Sequence, residues 1–358
     1  MELRVELVRR IPSSHTLCVL SVAHLTIDPS QFPEKIQRDL VESLRSRRVN
    51  HKFHYDSVKQ THKWLALHEA YSPARTDIDC QRSYDRSFVA AAQKIKAKQV
   101  HLVGLGCGGG QKDIRLLKHL MAPRRTLFYT PSDVSTAMVL VARRAALKVI
   151  PAQNCFPLVC DLATATDLLA VLDNLPSPRI THLSRRSHTK ADHASRLYTF
   201  FGMIPNFEPQ IILPRLASLI RRGDFLLFSA NLAPGSDYAA GVHRILPLYD
   251  NELTHDWLLT FLFDLGVEKK DGRLDFVVED DRSGLKRIAV YFRFVRSRKI
   301  VVGSESFQFR RGDSIRLFFS YRYTPALVCQ LLARQRLTVL GQWVTKSQEE
   351  GVFLFGRE

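Results

Sequence analysis

The stretch Lys98–Leu120, "KQVHLVGLGCGGGQKDIRLLKHL", decides the fold. An apolar run ends in a cluster of glycines, and the glycines open an amphipathic segment. A strand that stops in glycine at the start of a helix lets backbone approach an anionic or nucleotide-like group closely. Gly104, Gly106 and Gly109 satisfy GxGxxG, so a dinucleotide is one reading of the ligand and a plain tight turn is another. That pattern alone does not choose.

Outward from this stretch, helices are expected over "SYDRSFVAAAQKIKA", "GGGQKDIRLLKHLM", "STAMVLVARRAAL", "TDLLAVLDNL" and "PQIILPRLASLIRR". They alternate with strands over "QVHLVGLG", "TLFYTPSDVS", "NCFPLVCDLA", "RLYTFFGMI" and "GDFLLFSANLA". Near-continuous apolar strands separated by helices argue a parallel sheet covered on both faces. Residues 76–230 therefore read as a doubly wound α/β domain. The rhythm breaks over 231–322, where one helix ("YDNELTHDWLLTFLFDLGV") precedes extended, alternating segments such as "LDFVVEDD" and "LKRIAVYFRFVRSRKIVVG". An inserted α+β lobe is expected there. The tail, 323–358, returns to a helix and two strands around a turn. Before residue 75, Asp28 and Ser30 stand as caps of a helix carrying Ile36, Leu40 and Leu44, and "HKWLALHEAYSPAR" runs to a stop at Pro73.

The 358 residues are 45% hydrophobic and 24% charged, a globular composition long enough for one large domain with insertions or for two. No apolar run reaches the roughly 18 residues of a membrane helix. The first residues carry Glu2 and no small-residue cleavage site, so no secretory signal is expected. Six cysteines (Cys18, Cys80, Cys107, Cys155, Cys160, Cys329) show no CxxC spacing, and the histidines show no HExxH. Reduced thiols, a cytoplasmic location and no metal follow as expectations. A net charge of +17 raises a nucleic-acid partner. The basic residues are dispersed, however, and the densest loop, "HLSRRSHTKADHASR", has no aromatic ring for base stacking. A small-molecule substrate and a monomer are expected instead.

Two further positions bear on the ligand. "TPSDVS" puts Asp133 at the end of the second strand, where a carboxylate takes both ribose hydroxyls; dinucleotide enzymes share this feature. "LVCDLAT" puts Asp161 at the end of the third strand, positioned to accept from an adenine amino group with Leu162 packing on the ring. The bland reading of Asp161 is a cap for a helix near Ala163. The closing pair of strands tips the balance, because methyltransferase sheets commonly end in such an antiparallel strand. The expected ligand is S-adenosylmethionine. The glycine motif of this class usually carries an acid where Gly104 stands, and Lys112 is the residue expected to hold the cofactor's carboxylate.

In order along the chain, "HYD" (54–56), "AYSPAR" (70–75), "GLGCGGGQK" (104–112), "TPSDVS" (130–135), "FFGMIPNFEP" (200–209), "LYDNE" (248–252) and "RRGDSIRLFFSYRY" (310–323) are similar to motifs of one family. The chain resembles, from about His54 onward, the histidine-specific N-alpha-methyltransferases of ergothioneine synthesis and the fungal branch that methylates prenylated tryptophan. The resemblance implies a Rossmann-like class I SAM-dependent methyltransferase sheet with an inserted α+β substrate lobe. The SAM-binding domain is then 76–230 plus 323–358, and the substrate-binding lobe 1–75 plus 231–322. Cofactor contacts are implied at Gly106, Gly108, Lys112, Asp133, Asp161 and Leu162. Substrate contacts are implied at Tyr55, Tyr71, Asn206, Tyr249 and Ser320. Asn206 offers an acceptor to the substrate amine and a donor to its carboxylate, and Tyr55 is the candidate to take the departing proton.

The chain departs from that family in telling places. Where the histidine enzymes carry an acid two positions before Ser320 to grip imidazole, this chain has Phe318, and Val290 stands for a methionine of the same pocket. An imidazole N–H buried against phenylalanine loses its acceptor at a cost of about 1–3 kcal/mol. Tryptophan or another aromatic or apolar amino acid is therefore expected over histidine, with Trp64 lining the same space. Gly202, Met203 and Pro205 replace the family's residues beside Asn206. Two alternatives remain open at this point: a methyltransferase of RNA or protein, and a cofactor-binding homologue without turnover.

Overall fold

The structure is a computed structural model that describes residues 22–175 and 194–357. The first residues, with Cys18, and nearly all of the basic loop quoted above lie outside them. The strands in chain order are β1 (Thr26–Ile27), β2 (Gln99–Leu105), β3 (Thr126–Asp133), β4 (Leu158–Val159), β5 (Ala194–Phe200), β6 (Phe225–Asn231), β7 (Gly272–Asp280), β8 (Lys286–Phe294), β9 (Arg298–Val302), β10 (Glu305–Phe309), β11 (Ser314–Arg322), β12 (Thr338–Val344) and β13 (Glu350–Gly356).

Eight of them form one sheet in the order β1-β4-β3-β2-β5-β6-β13-β12. β2 runs parallel to both β3 and β5, while β13 runs antiparallel to β6 and β12. This is the doubly wound, mostly parallel sheet expected from the alternation, closed by the reversed strand that the tail pattern called for. The period of two in β2 sorts its side chains between two cores. Val100 and Leu102 join the one with Tyr84, Phe88 and Leu117, whereas Val103 and Leu105 join the one with Phe200, Leu216 and Phe228.

Two features differ from the sequence reading. The strand expected over "NCFPLVCDLA" shrinks to Leu158–Val159, because the chain turns at Asp161, and it gains an unforeseen edge partner in β1. Asp28 caps a short turn through Ser30 N–H at 2.8 Å, and the following helix, Pro33–Ser46, begins on its own proline.

Residues 232–322 build the lobe. A sheet ordered β11-β8-β7 and the hairpin β9–β10 pack against the helix Glu252–Asp264. A helix over Tyr238–Ile245 precedes it and was not read from the sequence. Segments before residue 54 join the same core through Leu44, Val49 and Phe53. Val49 N–H donates to the Arg316 carbonyl at 2.9 Å, so this part of the chain extends the edge of β11.

Candidate active site

The glycine loop is shaped by its own backbone. Gly106, Gly108 and Gly110 hold φ of +62°, +51° and +75°, a left-handed conformation that other residues adopt at a cost. Cys107 N–H ties the loop to β3 through the Ser132 carbonyl at 2.9 Å, and the helix Gln111–Leu120 starts directly after it. A Cβ on Gly110 would lie 2.9 Å from that of Ala142, so glycine also sets the close approach of the next helix.

Above the loop lies a cavity of about 330 Å³, within the range of small-molecule sites. Its floor includes Gly106, Gly108, Asp133 and Leu162. Asp133 is aimed by two backbone amides: Gly108 N–H donates to Oδ2 and Ser135 N–H to Oδ1, each at 3.0 Å. Burial raises its pKa and these amides oppose the rise. Lys112 also lines the cavity and donates from Nζ to the Tyr84 hydroxyl at 2.7 Å. Burial lowers the Lys112 pKa, and Glu350 on β13 counters that, with Oε1 at 4.0 Å.

Tyr55, Trp64, Met203 and Asn206 also line the cavity. Asn206 ends the short turn Ile204–Asn206, whose geometry Pro205 presets near its start. Its side-chain amide donates to the Tyr55 hydroxyl at 3.5 Å. Burial, then Asp133 and Tyr249, push the Tyr55 phenol above its ordinary pKa, so it stays protonated at neutral pH. Met203 lies over the glycine loop: a Cβ on Gly106 would meet its Cγ at 2.7 Å. The departure from the family at Met203 thus fills space that the loop glycine leaves.

Several expected site residues stand elsewhere. Asp161 is fully buried and does not line the cavity. Its Oδ1 accepts from Ala163 N–H and its Oδ2 from the Thr164 hydroxyl, each at 2.9 Å, and Lys52 Nζ lies 4.0 Å away. Asp161 thus caps its own turn, and Leu162 alone of that pair lines the cavity. Tyr71 is 55% exposed and lies outside the lining, because the helix Val58–Tyr71 ends with it on the solvent side.

Tyr249, Val290, Phe318 and Ser320 cluster as expected but do not line the cavity. The Tyr249 hydroxyl donates to Ser320 Oγ at 2.8 Å and accepts from Arg322 Nη2 at 2.5 Å. Val290 faces Phe318 across β8 and β11. Phe318 packs edge-on against Trp257 with ring centroids 5.5 Å apart. Trp257 itself is anchored by its indole N–H to the His54 carbonyl at 2.8 Å. The apolar surroundings expected around Val290 and Phe318 form, with the indole against Phe318, but as part of the packed lobe core.

The cavity also recruits residues not read from the sequence. His68 stacks on Trp64 with centroids 4.9 Å apart, and burial pushes its pKa down to about 4, so it is neutral. Asp113 and Glu350 supply carboxylates on the Lys112 side. No group of His, Cys, Asp and Glu among the described residues is placed to hold a metal ion, and no described helix is long and apolar enough to cross a membrane.

These residues fit S-adenosylmethionine. The loop leaves backbone bare over the cavity, Asp133 presents a carboxylate fixed by two backbone amides, and Lys112 presents a desolvated cation.

A family model described as "Histidine-specific methyltransferase, SAM-dependent" matches residues 36–357. No curated protein matches the chain. Among solved structures, a S-adenosylmethionine-dependent methyltransferase from Clostridium acetobutylicum is 13% identical over 83% of this chain and 98% of its own, with a TM-score of 0.40. Magnesium protoporphyrin IX methyltransferase from Synechocystis, with bound SAH, is 14% identical over 86% and 98%, with a TM-score of 0.43. The family match spans nearly the whole sequence. The chain therefore belongs to the histidine-specific, SAM-dependent methyltransferase family.

Proposed function

We propose that this methyltransferase acts on the α-amino group of a free amino acid, and that the acceptor is tryptophan or another aromatic or apolar amino acid in preference to histidine. When bound, S-adenosylmethionine supplies an electrophilic methyl group. The protein's task is then mainly positioning. Asp133 takes the ribose hydroxyls, Lys112 the carboxylate, and Leu162 packs beside the base. Asn206 and Tyr55 hold the acceptor: the Asn206 carbonyl accepts from the amine while its N–H donates toward Tyr55 or a substrate carboxylate. A phenol held neutral by burial is no resident base. Tyr55 accepts a hydrogen bond from the neutral amine's N–H, which leaves the lone pair facing the methyl group; as the S–CH3 bond breaks and the N–CH3 bond forms, the ammonium product loses its proton to solvent water.

The observation that carries this reading is the Asn206–Tyr55 contact, 3.5 Å, in the lining of the same cavity as Asp133. The acceptor preference rests on a second fact. The lobe segments that line the cavity bring Tyr55 and Trp64 and no carboxylate, whereas Asp113, Asp133 and Glu350 all belong to the sheet domain. An aromatic side chain gains burial there, and the lobe offers an imidazole N–H no acid of its own. The test is calorimetry with tryptophan and with histidine in the presence of S-adenosylhomocysteine. Binding of tryptophan is expected; tight binding of histidine contradicts the preference.

A further inference from the structure

The acid that the glycine motif lacks at position 104 has a substitute in space. Asp113, in the first turn of the helix Gln111–Leu120, lines the cavity and is only 2% exposed. Its Oδ2 accepts from the Tyr129 hydroxyl on β3 and its Oδ1 from the Thr199 hydroxyl on β5, each at 2.7 Å. The carboxylate therefore sits under β2, between its two neighbours in the sheet. A Cβ built on Gly104 would lie 2.1 Å from Asp113 Oδ2. Any side chain at 104 would displace the carboxylate, so the two positions share one space.

Both partners of Asp113 are neutral hydroxyls, and no cationic nitrogen among the described residues lies within 4.0 Å of it. Lys112 is adjacent in sequence but turns its Nζ to Tyr84. A buried carboxylate without a cation is unfavourable until one arrives, and two of its roughly four acceptor sites remain free. Lys112 and Asp113 thus present opposite charges to one end of the cavity, the pattern that an α-carboxylate and an α-ammonium group require.

We propose that Asp113 holds the α-ammonium group of the cofactor's amino-acid end, and that Gly104 is glycine to leave room for it. The negative charge has moved from strand to helix while keeping its place. This inference rests on the cavity being the cofactor site.

The test is calorimetry with two probes, S-adenosylhomocysteine and methylthioadenosine. The second keeps the nucleoside and thioether but lacks the amino-acid end. Asp113→Asn is expected to weaken S-adenosylhomocysteine by about ten- to a hundredfold and to leave methylthioadenosine unchanged. The unchanged probe also shows that the variant is folded. In the double variant Gly104→Asp/Asp113→Thr, S-adenosylhomocysteine is expected to bind more tightly than in Asp113→Thr alone. Equal weakening of both probes, weakening of neither, or no recovery in the double variant overturns the inference. Wild-type protein that binds neither probe removes the cavity as the cofactor site and this inference with it.

Discussion

The Asn206 side-chain amide donates to the Tyr55 hydroxyl at 3.5 Å, joining a turn after β5 to a segment some 150 residues earlier in the chain. Sheet domain and lobe-associated segment meet at this contact, and the proposed function puts the acceptor amine there. Tyr55→Phe removes one hydrogen-bonding group and little volume. It is expected to lower kcat by about ten- to a hundredfold while S-adenosylhomocysteine affinity stays unchanged. Steady-state kinetics beside calorimetry checks the split.

Asp133 is the carboxylate on the cavity floor, fixed by the Gly108 and Ser135 amides. Bonds from ribose hydroxyls to an ionised acceptor are among the stronger ones. Asp133→Ala is expected to weaken S-adenosylhomocysteine by about a hundredfold or more. Asp133→Asn keeps an acceptor and should lose less. Titration calorimetry on both variants decides.

Phe318 stands where a histidine-binding acid is expected, yet it is packed against Trp257 and 8% exposed. Restoring the acid is therefore not expected to restore histidine binding. Phe318→Glu places an unpaired carboxylate among aromatic rings and should lower stability by about 3 kcal/mol or more. Thermal unfolding and a histidine assay check this; an unchanged Tm with new histidine methylation contradicts the packing argument.

Burial raises the Asp113 carboxyl from 3.8 to about 6, against opposing bonds from Thr199 and Tyr129 and the charge of Lys112. Between those two pH values the cofactor-free folded protein binds a proton that the unfolded chain has released. Its contribution to stability is full below about pH 4 and is lost as pH rises to about 6. Asp113→Asn lacks this titration. Relative to wild type, the variant is expected to be more stable at pH 7 than at pH 4, which paired melting curves at the two pH values measure.

The glycine loop and the alternating sheet were legible because glycine spacing and apolar period are local signals. β2 and its helix lie where "QVHLVGLG" and "GGGQKDIRLLKHLM" put them. What escaped depended on competition between partners. Asp161 at a strand end gives no sign in the sequence that Ala163 N–H and the Thr164 hydroxyl will bind its carboxylate. Phe318 reads as a pocket residue in the sequence, and only the fold packs Trp257, from a helix far away in sequence, against it. Asp113 resembles any acid that favours a helix N-terminus. Only the sheet shows that it underlies Gly104, as only the insertion of β13 beside β6 brings Glu350 to Lys112.

The central claim is methyl transfer to the α-amine of a free amino acid. Its most direct test is mass spectrometry after incubation with methyl-labelled S-adenosylmethionine and tryptophan, N-acetyltryptophan, histidine, RNA and a protein mixture. Label on tryptophan, with none on the N-acetyl form, is expected. Label confined to RNA or protein, or to the N-acetyl form, contradicts the account.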